Sequence, residues 1–235
     1  MPETGSTNAD MRELAAEGAP EGVWLRAGRQ SAGRGRMGRQ WEGEEGNLYA
    51  STLIRLRPGD PPAPTLALTV AVAVHKALAD FVGADAIAIK WPNDIMASGT
   101  AAVGNKLCGM LLERAGDAVI IGIGVNVAGA PTLPDRRAAS LRDLGAHAAD
   151  AQAVLEEIAR HFAGQVEQWR NFGVEPIARA WQERAHAPGT PLAVLLPDGQ
   201  RVEGVFDTLD REGALILRLA DGSRHVIHAG DVFLI

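Results

Sequence analysis

Apolar positions recur with a helical period in two long segments of the chain. Within Ala151–Phe172 they fall every three or four positions, at Val154, Leu155, Ile158, Phe162, Val166 and Trp169. This spacing puts them on one face of a helix, and such a stripe is typical of a face that packs in the core. Thr65–Val82 shows a second helical pattern, which Gly83 ends. Shorter helices are predicted from Ser6-Thr7-Asn8, whose residue types favour an N-cap, and over Pro176–Ala185.

Shorter apolar runs bounded by turn residues predict strands. The runs are Val23–Leu25, Leu48–Leu56, Ala86–Lys90, Leu107–Leu112 and Val119–Val127. The segment Ala115-Gly116-Asp117 separates the last two runs and indicates a hairpin.

The chain changes character after residue 186. Residues 187–191 are typical of a linker, and the short apolar runs beyond them are divided by Pro197-Asp198-Gly199, Arg211-Glu212-Gly213 and Asp221-Gly222-Ser223. Such closely spaced turns are typical of a small β-barrel. We therefore predict an α+β fold. Residues 1–186 form a mixed β-sheet domain with helices packed on it, and residues 187–235 form a small C-terminal SH3-like β-barrel.

Composition is that of an ordinary globular protein, with 46% hydrophobic residues, 22% charged residues and a formal net charge of −6. Cys108 is the single cysteine, which excludes an intrachain disulfide and favours a cytoplasmic location. The N-terminal residues contain no apolar targeting segment. Leu66–Val74, the most apolar stretch, is shorter than the roughly 20 residues of a membrane span, so we interpret it as part of a buried helix. The six histidines show no zinc-type spacing with cysteine or acidic residues.

Positive charge is concentrated in one short segment of this mildly acidic chain. Five arginines lie between Arg26 and Arg39, and three of them belong to the glycine-rich loop Gly33-Arg34-Gly35-Arg36-Met37-Gly38-Arg39. Guanidinium groups on a backbone that bends freely suit a small, highly anionic ligand. The sequence offers no Ser-His-Asp or Cys-His arrangement for nucleophilic catalysis.

Two glycine patterns resemble nucleotide-binding motifs without meeting their requirements. Gly33, Gly35 and Gly38 match G-x-G-x-x-G, but residues 42–46 are poor helix formers and a strand follows. The segment from Gly99 to Lys106 approaches a P-loop, yet Leu107 stands where the magnesium-binding hydroxyl belongs. We reject both interpretations.

Five segments, taken in order, resemble the biotin–protein ligases. They are Gly5-Ser6-Thr7-Asn8, Gln30-Ser31-Ala32-Gly33-Arg34-Gly35-Arg36-Met37-Gly38-Arg39-Gln40-Trp41, Lys90-Trp91-Pro92-Asn93-Asp94, Lys106-Leu107-Cys108-Gly109 and Gly122-Ile123-Gly124-Val125-Asn126. The arginine loop together with Lys-Trp-Pro-Asn-Asp is highly specific. The resemblance covers nearly the whole chain, including the C-terminal segment. It departs from the family pattern at Gly5, Ser31 and Asn105, and none of these removes a charge that the chemistry requires.

The resemblance implies an ATP-dependent ligase that activates biotin as biotinyl-5'-AMP and transfers it to a lysine of a biotin carrier protein or domain of a carboxylase. Substrate and nucleotide are both anions, so bringing them together requires fixed positive charge. ATP and Mg²⁺ are the implied nucleotide and metal, biotin is the second substrate, and no tightly bound prosthetic group is expected.

The resemblance also implies site residues, carried over position by position. Lys106 and Arg36 are the implied catalytic residues, with Lys106 bridging the biotin carboxylate and the α-phosphate. The implied biotin-binding residues are Ser6, Thr7, Asn8, Gln30, Gly33, Arg34, Gly35, Arg36, Lys106 and Gly109. The implied ATP-binding residues are Arg36, Arg39, Trp41, Asn93, Lys106 and Asn126. Asp94 is the implied magnesium ligand, or it orients the acceptor lysine.

Several alternatives remain at this level. A lipoate or octanoate ligase or transferase has the same broad architecture, and an Arg-Gly loop can also bind nucleic acid, although Glu42, Glu44 and Glu45 adjoin this one. Because four residues precede Gly5, we expect a monofunctional ligase without an N-terminal operator-binding domain, with neither nucleic acid nor membrane as a partner. A homodimer, the identity of the carrier and the role of the C-terminal barrel are left open.

Overall fold

The computed structural model describes residues 1–41, 44–98, 104–132 and 137–235. Its helices are α1 (Thr7–Ala16), α2 (Leu66–Val82), α3 (Ala151–Phe172) and α4 (Glu175–Gln182). Its strands are β1 (Glu3–Thr4), β2 (Trp24–Ala27), β3 (Arg29–Gln30), β4 (Leu48–Arg55), β5 (Ile87–Lys90), β6 (Asp94–Ala97), β7 (Lys106–Ala115), β8 (Ala118–Val125), β9 (Pro191–Leu195), β10 (Arg201–Leu209), β11 (Leu215–Arg218), β12 (Arg224–Ile227) and β13 (Asp231–Leu234). Every helix and strand predicted above has a counterpart, and β6 is a strand that the sequence pattern did not predict.

The large sheet has the strand order β2-β4-β8-β7-β6-β5 in the described part of the chain. All its ladders are antiparallel, and short reversals join β5 to β6 and β7 to β8. The predicted α+β class is confirmed. Among the described strands, the predicted parallel pairing occurs between β1 and β3, which form a separate two-stranded sheet.

The two faces of the large sheet have different partners. One face packs against α2 and α3 and forms the main apolar core, into which the predicted α3 stripe projects. The other face is covered at one end by α1, whose Met11 and Ala15 pack on Leu53 and Ile120. The rest of this second face carries the polar motifs.

Helix α2 matches the helical pattern predicted over Thr65–Val82. With its preceding turn it covers Ala63–Val82, which by length and composition alone could cross a membrane. Most of that length is buried inside the protein between the sheet and α3. The interpretation of Leu66–Val74 as part of a buried helix is confirmed.

The C-terminal strands form a sheet with the order β12-β11-β10-β9-β13. All its pairs are antiparallel. Residues 187–235 are described without a gap, and within them β12 and β13 are edge strands that do not pair with each other. The predicted barrel is corrected to an open SH3-like sheet of antiparallel strands, because closure requires hydrogen bonds between the two edge strands.

Candidate active site

A row of small residues crosses the free face of the large sheet. Antiparallel pairing aligns Tyr49, Gly124, Gly109 and Asp94 in one row, and the next row aligns Ser51 with Gly122 and Leu111. Glycines in the middle of adjacent strands leave the sheet surface without side chains, which marks a close approach by another group.

Trp41 is the group that approaches. A Cβ atom built on Gly124 would lie 2.5 Å from its indole ring, and one built on Gly109 would lie 2.7 Å from it. The Lys106 ammonium lies 5.3 Å from the ring centroid, a cation–π distance. The indole Nε1 is buried and has no hydrogen-bond partner among the described residues. Trp41 therefore rests directly on the glycine floor, with its polar edge unsatisfied.

A β-bulge aims Lys106 at this same face. In a regular strand, residues three apart point to opposite faces, so Lys106 and Gly109 would not meet. The pairing register of β6 and β7 shifts between Ile95 and Met96. As a result Leu107 and Cys108 both enter the core, and the Lys106 ammonium would lie 3.1 Å from a Cβ atom on Gly109. Burial raises the pKa of the Cys108 thiol, which supports its role as a core residue.

Lys106 also forms an ion pair with Asp94. Its Nζ lies 2.6 Å from Asp94 Oδ1, and both side chains are largely buried, with 19% and 16% exposed. The implied catalytic cation and the implied metal ligand are thus in direct contact.

A small polar cavity lies at the N-terminus of α1. Ser6, Thr7, Asn8 and Gln30 line it together with the glycine floor and Trp41, and its volume is about 40 Å³. The Gln30 side-chain oxygen accepts hydrogen bonds from the Thr7 amide (2.8 Å) and the Thr7 hydroxyl (3.0 Å). These residues come together although Thr7 and Gln30 are 23 positions apart in the chain.

A larger cavity of about 660 Å³ adjoins the first, and Trp41 and Asn93 line both. Its volume is in the range of small-molecule sites. Its charged lining residues are mostly cations, namely Arg36, Arg39, Lys90, Lys106 and Arg137, against the carboxylates of Asp94 and Asp231. An excess of fixed positive charge suits a polyphosphate.

Two loop arginines contact the rest of the protein across this cavity. Arg36 donates a hydrogen bond to Asn93 (3.3 Å), and Arg39 forms an ion pair of 2.6 Å with Asp231 on the C-terminal sheet. Burial lowers the pKa of the Arg36 guanidinium from its usual value, while Asp231 and Asp94 oppose that shift. The group remains charged at neutral pH because an arginine starts so high.

The side chains of Asn93 and Asn126, the two asparagines assigned to ATP binding, already form hydrogen bonds within the protein. Asn93 donates to the Met110 carbonyl and accepts from Arg36. Asn126 is buried and donates to the carbonyls of Lys106 (3.3 Å) and Ala139 (3.0 Å). Both residues line the larger cavity, but their amide groups also hold backbone in place.

The glycine loop closes on itself beside the small cavity. The Trp41 amide donates to the Gly33 carbonyl and the Gly35 amide donates to the Arg39 carbonyl. A Cβ atom on Gly33 would lie 2.7 Å from the Trp41 carbonyl oxygen, so glycine is required there by close packing. Gly35 has no such constraint. Arg34 is exposed and still lines the small cavity.

Sequence reasoning missed several residues of this region. Ser51, Glu113, Gly122, Gly124 and Asp231 were not assigned to the site. Two signals in the sequence could have located the sheet surface under the small cavity. They are a serine within an apolar strand and two glycines two residues apart on one strand. Asp231 had no local signal, because it meets Arg39 across 192 residues.

One side-chain cluster of metal-binding type lies outside this site. Asp80, Glu157 and His161 offer ligand atoms within 4.8 Å of one another. The Arg160 guanidinium already contacts Asp80 and Glu157. The cluster is an exposed ion-pair network between α2 and α3.

The sequence of this chain matches two known protein-family models. Residues 6–126 match the Biotin/lipoate A/B protein ligase family, and residues 191–235 match the Biotin protein ligase C terminal domain. The chain is 38% identical to the biotin–[acetyl-CoA-carboxylase] ligase of Paracoccus denitrificans, in an alignment that covers 98% of this chain and 97% of the relative. The chain therefore belongs to the biotin/lipoate A/B protein ligase family.

Within that family, the C-terminal match and this relative both indicate the biotin protein ligases. The biotin protein ligase from Aquifex aeolicus in complex with biotin and ATP has a similar fold, with a TM-score of 0.84 at 24% identity, covering 100% of this chain and 97% of that chain. The ligase from Leishmania major in complex with biotinyl-5-AMP has a TM-score of 0.68 at 26% identity, covering 97% of each chain.

Proposed function

We propose that this enzyme joins biotin to ATP at the boundary between its two cavities and then transfers the biotinyl group to a lysine of a biotin carrier protein or domain. The position of Lys106 supports this most strongly. Its ammonium contacts the glycine floor of the small cavity and lines the larger, cationic cavity. A carboxylate in the first cavity and a phosphate in the second would meet beside it.

The chemistry requires two displacements. A carboxylate oxygen of biotin attacks the α-phosphorus of ATP, the bond to the bridging oxygen breaks, and pyrophosphate leaves. The amine of the carrier lysine then attacks the acyl carbon, and AMP leaves. Negative charge builds up at the phosphorus in the first step, and Lys106, Arg36 and Arg39 are three of the cavity-lining cations that can stabilise it.

Trp41 must move when biotin binds. The small cavity of about 40 Å³ is far below the roughly 300 Å³ at which ligand sites begin. The indole occupies the glycine floor beside the polar residues of the cavity. We propose that the ligand takes this floor and that Trp41 then covers it, so the loop acts as a lid.

Asp94 meets the basic requirement for a magnesium ligand. Mg²⁺ in phosphoryl-transfer sites is commonly held by one or two carboxylates together with substrate phosphates. Asp94 supplies one carboxylate at the edge of the cationic cavity. This carboxylate pairs with Lys106, and a bound ion would neutralise phosphate charge there.

The C-terminal segment, residues 187–235, is proposed as a separate domain that completes the nucleotide site. Asp231 holds Arg39, and the Trp91 indole N–H donates to the Gly213 carbonyl at 3.0 Å. Strand β13 thus lines the larger cavity that the main domain, residues 1–186, leaves open.

Replacing Asp231 by asparagine is expected to release the adenylate faster by a factor of about two to five. The Arg39–Asp231 pair is partly exposed, with 37% and 25% of the side chains accessible, so its contribution is about 0.5–1 kcal/mol. Dissociation of radiolabelled biotinyl-5'-AMP on a filter measures this rate. Glu203→Gln, on the exposed Arg201–Glu203 pair of the same sheet, is the matched control. An Asp231→Asn rate equal to that of the control would contradict the proposed contact.

Biotin-dependent ATP–pyrophosphate exchange tests the proposed function as a whole. We expect exchange with biotin and none with lipoate or octanoate, followed by biotinylation of a purified carrier domain. Exchange with lipoate alone would assign the enzyme to the other branch of the family. Tight, salt-sensitive binding to DNA or RNA without exchange would favour the nucleic-acid interpretation of the arginine loop.

A further inference from the structure

We infer that Asn47 is a positioning residue for the nucleotide, because its side chain holds the turn of residues 127–129, which leads from β8 to the wall of the larger cavity. The inference rests on the proposed function, since it takes this cavity as the ATP site. Asn126 lies directly before the turn and Pro131 lies shortly after it, and both line the cavity. Asn47 itself lines neither cavity.

The Asn47 side chain forms hydrogen bonds with every residue of this turn. Its oxygen accepts from the amides of Val127 (2.8 Å), Ala128 (3.0 Å) and Gly129 (3.3 Å). Its nitrogen donates to the Gly129 carbonyl at 2.9 Å. Backbone amides only donate and carbonyls only accept, so these partners fix the orientation of the Asn47 amide. Asn47 is 2% exposed, which keeps water from competing for the bonds.

Within the described part of the chain, Asn47 is the hydrogen-bond partner on which this turn depends. The amides of Ala128 and Gly129 and the Gly129 carbonyl have no second partner there. The Asn126 side chain, in contrast, is held by two other carbonyls, as described above. Loss of the Asn47 side chain would therefore leave Asn126 in place and free the residues after it, up to Pro131.

The floor of the small cavity does not depend on this turn. Gly122, Ile123 and Gly124 contribute to that floor from within β8, where backbone pairing with β4 and β7 holds them. The turn begins only after β8 has ended at Val125. Asn47 therefore acts on the nucleotide side of the site.

A cavity wall that is ordered before the ligand arrives increases affinity. Residues whose backbone becomes fixed only on binding lose conformational entropy at that moment, and this loss weakens binding. For Asn47→Ala we expect the KM for ATP to rise about five- to tenfold. Saturating ATP restores the ordered turn, so kcat should stay within about twofold. The Kd of biotin, measured by calorimetry without ATP, should also stay within about twofold, because the β8 floor is intact.

Two variants and one direct measurement separate positioning from general damage. Asn47→Asp keeps an oxygen that accepts from the three amides, so its KM for ATP should lie within about threefold of wild type. Asp150→Ala is the matched control, since Asp150 also accepts from two backbone amides but caps α3, which lines neither cavity. It should lower thermal stability and leave the KM for ATP unchanged. Hydrogen exchange at the amides of Ala128 and Gly129 should be faster in Asn47→Ala and should slow again when ATP is added.

Three outcomes would overturn the inference: an unchanged KM for ATP in folded Asn47→Ala, an equal rise in the Kd of biotin, or an equal rise in the KM for ATP in Asp150→Ala. If Asn47→Ala does not fold, Asn47→Ser, whose shorter side chain gives the turn fewer hydrogen bonds, is measured with the same expectations. The proposed function fails separately, since in that case the wild-type enzyme itself would show no biotin-dependent exchange.

Discussion

Replacing Lys106 by glutamine is expected to lower the rate of adenylate formation by about 10² to 10³. The loss of one preorganised charged donor at a developing negative charge costs roughly 2.7–4 kcal/mol in the transition state. The Lys106 ammonium is the cation that reaches both the glycine floor and the cationic cavity, and its position depends on the bulge between β6 and β7. Single-turnover formation of biotinyl-5'-AMP, followed after rapid mixing with excess enzyme, measures the effect directly.

A second variant separates the loss of Lys106 from the release of its partner. Without the lysine, Asp94 becomes an unpaired carboxylate beside two anionic substrates. The double variant Lys106→Gln/Asp94→Asn removes that repulsion, so it should bind biotin, measured without ATP and Mg²⁺, better than Lys106→Gln while remaining slow in the chemical step. Lys76→Gln, on α2, is the matched control. A purified, folded Lys106→Gln enzyme with near-normal adenylate formation would exclude the assigned role.

Replacing Trp169 by alanine is expected to lower the free energy of unfolding by about 3–5 kcal/mol, as for other large buried aromatic residues. Trp169 is fully buried in the stripe of α3, where it packs in the main core. Its indole N–H donates to the Thr65 hydroxyl at the start of α2, at 2.8 Å. Denaturant unfolding followed by circular dichroism measures the change.

Matched variants on the same helix test the cause. Trp169→Phe keeps most of the packing and loses the hydrogen bond, so its cost should be about 1–2 kcal/mol. Phe172→Ala removes a side chain that is 74% exposed and should change stability by about 0.5 kcal/mol or less. Kinetic constants of folded Trp169→Phe should be unchanged, because α3 packs on the face opposite the glycine floor. A Trp169→Ala cost equal to that of Phe172→Ala would contradict the core assignment.

Elements with strong local patterns were predicted well. Helix α3 covers Ala151–Phe172 as the stripe indicated, because a helical face of apolar residues and the flanking Asp150 and Gly173 act within a few residues of chain. Strand β6, in contrast, was missed. Asp94–Ala97 is short and follows a proline turn, and it is a strand because β5 and β7 both pair with it.

The residues of the candidate site also divide into those that local motifs predicted and those that were missed. The arginine loop, the Lys-Trp-Pro-Asn-Asp segment and the N-cap residues of α1 were recognised as motifs, and the structure brings residues from all three to the two cavities. The residues that were missed act on these motifs from elsewhere in the chain. Glu113 contacts Asn8 across 105 residues, and Asp231 contacts Arg39 across 192.

Local order in the amino-acid sequence was enough to establish the helices, most strands and the family of this chain, because each of these depends on periodicity or on motifs a few residues long. It was not enough to establish the face of the sheet to which Lys106 points or the packing of Trp41 against Gly109 and Gly124. It also did not establish that the edge strands of the C-terminal sheet remain unpaired with each other. Those features depend on strand register and on pairings between distant segments. A shift of one residue in register turns every following side chain to the opposite face, and the full set of pairings in the folded chain specifies that register.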